Sequence, residues 1–285
     1  MMGVNHAAMG GSVWIALTST APYALHVLPM SPPFVIAGSL LAAGSGLLAD
    51  ADHHNASIAH SIPVAGKIGA RAVGMVSGGH RHGTHSLLAL ILVSIGAYFL
   101  EKVSIPLDGG GTFPIGVFIA TTLIVGFGLK AMKIMRGSWV KPFIGGAATG
   151  VLVLLLAPGQ WEWFPWAVGI GYAVHLLGDF LTVGGLTLTW PWVPKPPKWW
   201  SNTPILKHLW MENGYMAFPI LGKAGSPVEY ILSTFFYIYF AYGFFFEWTI
   251  IGTEGLNNLS VWWSSVMASW DSFWSGVGSS FPKFG

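Results

Sequence analysis

His175 and Asp179 stand four residues apart in a run, Gly171 to Leu181, that is otherwise apolar but for Tyr172. On a helix that spacing puts both side chains on one face, where they can share one ion. A carboxylate placed among apolar neighbours in a membrane is costly unless it is paired. Three further clusters carry the same residue types: Asp50-Ala51-Asp52-His53-His54 with His60 beyond it, His80-Arg81-His82-Gly83-Thr84-His85, and His6 near the start of the chain. Together the four clusters hold eight of the 10 histidines; His26 and His208 lie apart.

Imidazole and carboxylate donors suit Zn, Mn or Fe. There is no cysteine, so thiolate sites and disulfides are excluded. A donor set without sulfur is more typical of catalytic than of purely structural zinc. The candidate ligands are Asp50, Asp52, His53, His80, His85, His175 and Asp179. They exceed what one ion needs, which favours two divalent transition-metal ions, zinc first among them. In a loop or extended segment Asp50 and Asp52 point the same way and can chelate or bridge. His6 is a further ligand or a general acid. Arg81 has no lone pair to give a cation. It is a candidate clamp for an anionic oxygen, or a salt-bridge partner that orients Asp50 or Asp52. His54, His60 and His82 orient ligands or face water. Thr84 or Ser86 can cap the helix that follows.

The elements that hold these residues are read from composition first. Of the 285 residues, 53% are hydrophobic and 8% charged, against about 25% charged in a soluble chain. Lipid is the implied solvent. Fifteen Trp suit two membrane–water interfaces. A net charge of +2 with no dense basic stretch excludes a nucleic-acid partner. No basic segment leads into a short apolar core at the start, so no cleavable signal peptide is expected. The expected fold is an all-α, polytopic membrane helix bundle. Its seven apolar helices fall at about 12–30, 33–49, 86–100, 113–129, 142–157, 163–183 and 228–250, several of them short for a crossing. Pro29, Pro32 and Pro33 imply a tight hairpin between the first two. The Pro/Trp-rich connection 186–227 reads as an ordered interfacial loop, and 259–274 as an interfacial amphipathic helix. The chain therefore divides into a metal-site core, 1–195, and a second part, 196–285, of loop, last membrane helix and tail.

With a cytoplasmic N-terminus, the inside loops 50–85, 130–141 and 184–227 hold eleven of the 13 Lys and Arg; only Lys102 and Lys283 fall outside. That bias predicts the orientation. It also puts all four His/Asp clusters at the cytoplasmic ends of their helices, although the count used no His or Asp. The reading is a metal-dependent hydrolase acting on a phosphoester or ester of lipid-like character at that leaflet. The alternative is a metal or proton transporter, since intramembrane His and Asp also mark ion paths. Gathering of polar residues at one face favours the hydrolase. Composition leaves the oligomeric state open.

The motifs also resemble a known family. Leu48-Ala49-Asp50-Ala51-Asp52-His53 is similar to the L-P-D-x-D-H motif of the YdjM-like family, bacterial inner-membrane proteins described as LexA-regulated, metal-dependent hydrolases. Gly79-His80-Arg81-His82-Gly83-Thr84-His85-Ser86-Leu87 resembles its G-H-R-G-x-T-H-S-L. Gly171 to Asp179 resembles its G-Y-x-x-H-x-x-x-D, and Leu188-Thr189-Trp190-Pro191 its L-x-W-P. His6 takes the place of the family's N-terminal His. The resemblance covers residues 1–195 and implies a bacterial inner-membrane location and a hydrolase. The chain departs from the pattern at Ala49, where the family has Pro, and at His82, where it has Gly.

Overall fold

The computed structural model describes residues 1–53, 59–60, 65–107, 111–135, 138–156, 161–257, 268 and 270–272. The chain is mostly helical, with one two-stranded ribbon among the described residues. His54 and all but four residues of the expected interfacial helix at 259–274 lie outside them.

The first helix is displaced from its expected position. α1 spans Gly3–Thr18, and Ser19 already has extended backbone. Pro22 and Pro29 explain the early stop, because a residue before proline avoids the helical region and proline offers no N–H. His6 therefore lies inside a helix, not ahead of one. α2 spans Pro32–Ser45 with Pro at its first two positions, where a missing N–H costs nothing. Pro32 and Pro33 thus start a helix, and the turn before it is a long connection instead of a tight hairpin.

A 3-10 segment, Leu48–Asp52, follows α2. The stretch expected to be loop then contains α3, Ala65–Ser77. A second 3-10 turn, Gly83–His85, leads into α4, Leu87–Lys102. Ser86, not Thr84, caps α4: its Oγ accepts the Ala89 N–H at 3.1 Å. Strands β1 (Ile105–Pro106) and β2 (Thr112–Phe113) pair antiparallel. Then come α5 (Ile115–Ala131), α6 (Lys141–Leu156) and α7 (Trp163–Phe180). Two short turns, α8 (Lys198–Ser201) and α9 (Leu206–Leu209), precede the long α10 (Pro227–Asn257).

Helices form at all seven expected apolar stretches, but a full crossing needs about 20 residues. Among the described residues, two stretches are long and apolar enough, Pro32–Asp52 and Pro227–Thr253, while α5 and most of α6 are apolar but shorter. The expected all-α bundle is present, with two clear spanning candidates among the described residues.

α2 sits at the centre, packed on α1, α5, α7 and α10. Two glycines let backbones meet there. A Cβ on Gly171 would lie 2.3 Å from the Ala42 carbonyl oxygen, and one on Gly44 would lie 1.9 Å from that of Ile124. Any side chain at either position would push α7 or α5 away from α2. Trp14, Leu41 and Phe164 fill the interior beside these contacts. α10 is held to α1 by two buried carboxylates. Glu229 accepts from the Asn5 side-chain amide at 2.6 Å and the Met2 N–H at 2.8 Å. Glu247 accepts from the Ser19 hydroxyl at 2.5 Å, at the other end of α1.

Candidate metal centre

Four elements converge at the end of the bundle where α1 begins and α2 and α7 finish. α1 brings His6, the first 3-10 segment Asp50 and Asp52, the second His85, and α7 His175 and Asp179. His6, His85 and His175 are fully buried, Asp179 is 2% exposed and Asp52 8%.

The hydrogen bonds of the two central histidines decide which nitrogen is bare. His175 Nδ1 lies 2.6 Å from the Gly46 carbonyl, which can only accept, so Nδ1 carries the proton. The Thr84 hydroxyl lies 2.5 Å from Asp52 Oδ2 and donates its single proton there. Its oxygen then accepts from His85 Nδ1 at 3.0 Å. Burial holds the His85 imidazole below the ordinary histidine range, with the Asp50 carboxylate opposing, so the ring is neutral. His85 Nε2 is therefore bare, and it lies 3.2 Å from His175 Nε2. Either a proton on His175 Nε2 or a cation between the two rings accounts for that separation.

The surrounding carboxylates fit that cation. His85 Nε2 is 3.6 Å from Asp179 Oδ2 and 3.7 Å from Asp50 Oδ1; His175 Nε2 is 3.9 and 3.8 Å from the same atoms. Zinc bonds of about 2.0–2.2 Å in a tetrahedron require donor atoms about 3.3–3.6 Å apart. Asp50 and Asp179 thus stand within 3.6–3.9 Å of the two Nε2 atoms, and Asp50, His85 and His175 form one convergent donor set of the right type. His6 adds to it. Its ring stacks flat on His175, centroids 3.8 Å apart, and its Nε2 is 3.3 Å from Asp179 Oδ1. Gly178 makes that stacking feasible, since a Cβ there would lie 2.9 Å from the His6 ring. Complete burial suits His6 as a ligand better than as an acid that must reach substrate.

Asp50 and Asp52 do not point the same way, as an extended segment would have them. A 3-10 helix turns about three residues per revolution, so residues two apart diverge. Asp50 faces His85 Nε2 and Asp52 the Nδ1 side, 3.7 Å away. Asp52 also meets His80 Nδ1 at 3.0 Å. Asp52, His80 and His85 form a second, more open set of convergent donors, His80 being exposed. Among the described residues, the convergent sets do not include His53, whose ring lies 4.4 Å from that of His80.

Arg81 sits at the rim with positive φ (64°). Its salt bridge goes to Asp179, at 3.2 Å, and not to Asp50 or Asp52, the partners named for its alternative orienting role. Its Nη1 reaches the Gly185 carbonyl at 3.4 Å. The loop that carries it is tied down from three sides. Thr187 donates to the carbonyls of Arg81 and His82, each at 3.1 Å. Leu87 N–H donates to the Leu188 carbonyl at 3.0 Å, and the Tyr172 hydroxyl donates to the Thr84 carbonyl. His82, where the chain departs from the motif, has its Nδ1 3.2 Å from the Tyr215 hydroxyl. Residues on both sides of 195 therefore build the surroundings of the site.

The Asp52–Thr84–His85 relay was not foreseen from sequence. A threonine beside a histidine carries no signal of its own until the fold brings a carboxylate to it. Thr84→Val removes the hydroxyl and frees His85 Nδ1, and zinc affinity is expected to fall about 10–100-fold, the scale for losing an orienting partner. Thr84→Ser should restore most of it. A competition titration against a chelator reads both; unchanged affinity in Thr84→Val would show that the relay is idle.

A family model described as YdjM inner membrane protein matches residues 1–250, well beyond the reach of the four short motifs. No curated protein and no solved structure matches the chain.

Proposed function

We propose that this chain, which belongs to the YdjM inner membrane protein family, is a membrane-embedded metal-dependent hydrolase. Its substrate is a phosphoester or ester of amphipathic, lipid-like character, reached from the cytoplasmic leaflet. The observation that carries the reading is the convergence of the Nε2 atoms of His85 and His175, 3.2 Å apart, with the carboxylates of Asp50 and Asp179 around them. A divalent ion there, zinc for preference, supplies Lewis acidity and lowers the pKa of a bound water. His85, His175, Asp50 and Asp179 hold it, with His6 behind Asp179. Asp52 and His80, on the Nδ1 side of His85, offer a carboxylate and an imidazole to a second ion. His53 stands by as a ligand for that outer position.

The chain's own groups supply the rest. The buried face made by His6, His175 and Asp179 keeps water out from behind the site. Asp50, partly exposed, lies on the open side, where substrate must enter. Arg81 stands at the rim beside Asp179 and binds an anionic oxygen of the substrate. The eleven-to-two distribution of Lys and Arg supports a multi-pass chain with its N-terminus in the cytoplasm.

The test is metal analysis and hydrolysis on one detergent-purified sample. The protein is expected to carry one or two zinc ions and to cleave a phospholipid phosphoester or ester bond. Chelation should abolish turnover and added zinc restore it. A metal-loaded protein that cleaves neither bond type would overturn the hydrolase.

A further inference from the structure

Helix α3 shows an outward face that the described residues leave uncovered. Its inner face is made of small residues: Ala70 and Ser77 are buried, and a Cβ on Gly74 would lie 2.9 Å from the Asp52 carbonyl oxygen. That face packs on the 3-10 segment that carries the aspartates. Ile68, Met75 and Val76 point the other way, 62%, 78% and 83% exposed. At 100° per residue these three and Ala72 form one continuous stripe. Lys67 and Arg71, both exposed, lie together along one flank of it.

An apolar stripe flanked by cations is the composition of a helix that lies in a membrane surface. Its level in the fold agrees. α3 sits beside the segment that follows α2 and the turn that precedes α4, where the apolar helices end. We propose that α3 lies in the headgroup layer and that its partner is an anionic lipid surface. Ile68, Met75 and Val76 enter the acyl boundary, and Lys67 and Arg71 pair with lipid phosphates. Gly74 couples the helix to Asp52, so lipid contact is transmitted to the aspartate-bearing segment of the site. This inference depends on the membrane setting and not on any hydrolysis.

The chain has no cysteine, so single substitutions Ile68→Cys and Met75→Cys accept a fluorophore cleanly. The labelled full-length proteins are placed in nanodiscs of phosphatidylcholine, with or without phosphatidylglycerol. Quenchers are carried either by lipid acyl chains or in water. Lipid-borne quenching is expected at both positions, stronger with phosphatidylglycerol. Lys67→Gln and Arg71→Gln should each weaken that enhancement about fivefold, the effect of one basic side chain at an anionic surface. An unchanged helical circular-dichroism spectrum and a single elution peak in detergent show that these variants are folded. Equal access of the water-borne quencher in both lipids would overturn the proposal. So would labels shielded from both quenchers in a protein that runs as a dimer, since a second copy would then cover the stripe.

Discussion

Purified His85→Ala and Asp179→Asn proteins are expected to contain little or no zinc after dialysis against a metal buffer that leaves the wild type loaded. His85 presents one nitrogen to His175, Asp50 and Asp179 and the other to Thr84 and Asp52. Its removal empties the middle of both donor sets. Asp179 lies within 4 Å of His6, His85, His175 and Arg81. The amide keeps its shape but loses the charge that balances a cation. Loss of a directly bound donor should exceed the about 10–100-fold cost of losing an orienting neighbour. Glu247→Gln supplies the control, because it alters a buried carboxylate at the far end of α1 and should leave zinc content unchanged. Full occupancy in both site variants would mean that the cluster is a structural hydrogen-bond network.

Much of this site was legible before any coordinates. The i, i+4 pair His175 and Asp179 needed only a helix to face one way, and the apolar run around it guaranteed one. Counting Lys and Arg put the four clusters at one face, and the fold brings members of all four together. What escaped the sequence has common physical causes. α3 has a modest apolar content and an inner face of Ala, Gly and Ser, so a search for long apolar runs passes over it. α1 begins earlier than hydropathy implies because Asn5 is buried against Glu229 and His6 against the His175 ring, contacts that hydropathy does not register. Asp50 and Asp52 diverge because the segment winds as a 3-10 helix, and nothing in Leu-Ala-Asp-Ala-Asp distinguishes that from an extended strand. Glu247 and Ser19 meet only because α10 returns along α1. A buried carboxylate in the last helix therefore lies apart from the face at which the other polar residues gather.

Arg81→Lys is expected to keep its zinc and to lose turnover by about 10²-fold or more, the scale for removing one donor from a developing oxyanion. The guanidinium offers five N–H donors. Nη2 bonds Asp179 and Nη1 reaches the Gly185 carbonyl. The remaining donors are free to take an anionic oxygen at the rim. Lysine keeps the charge beside Asp179 but has no planar fork with which to hold that oxygen. If Arg81 serves only to orient Asp179, the lysine should largely replace it, and metal and turnover should both survive. Gly184→Ala separates charge from position. A Cβ there would lie 1.9 Å from Arg81 Nη1, so the guanidinium must leave its place while every charge in the site remains. Zinc content should hold in this variant too, and turnover should fall as in Arg81→Lys. Zinc lost from Arg81→Lys would instead make Arg81 a prop for the metal site, and undiminished turnover in both variants would remove it from the reaction.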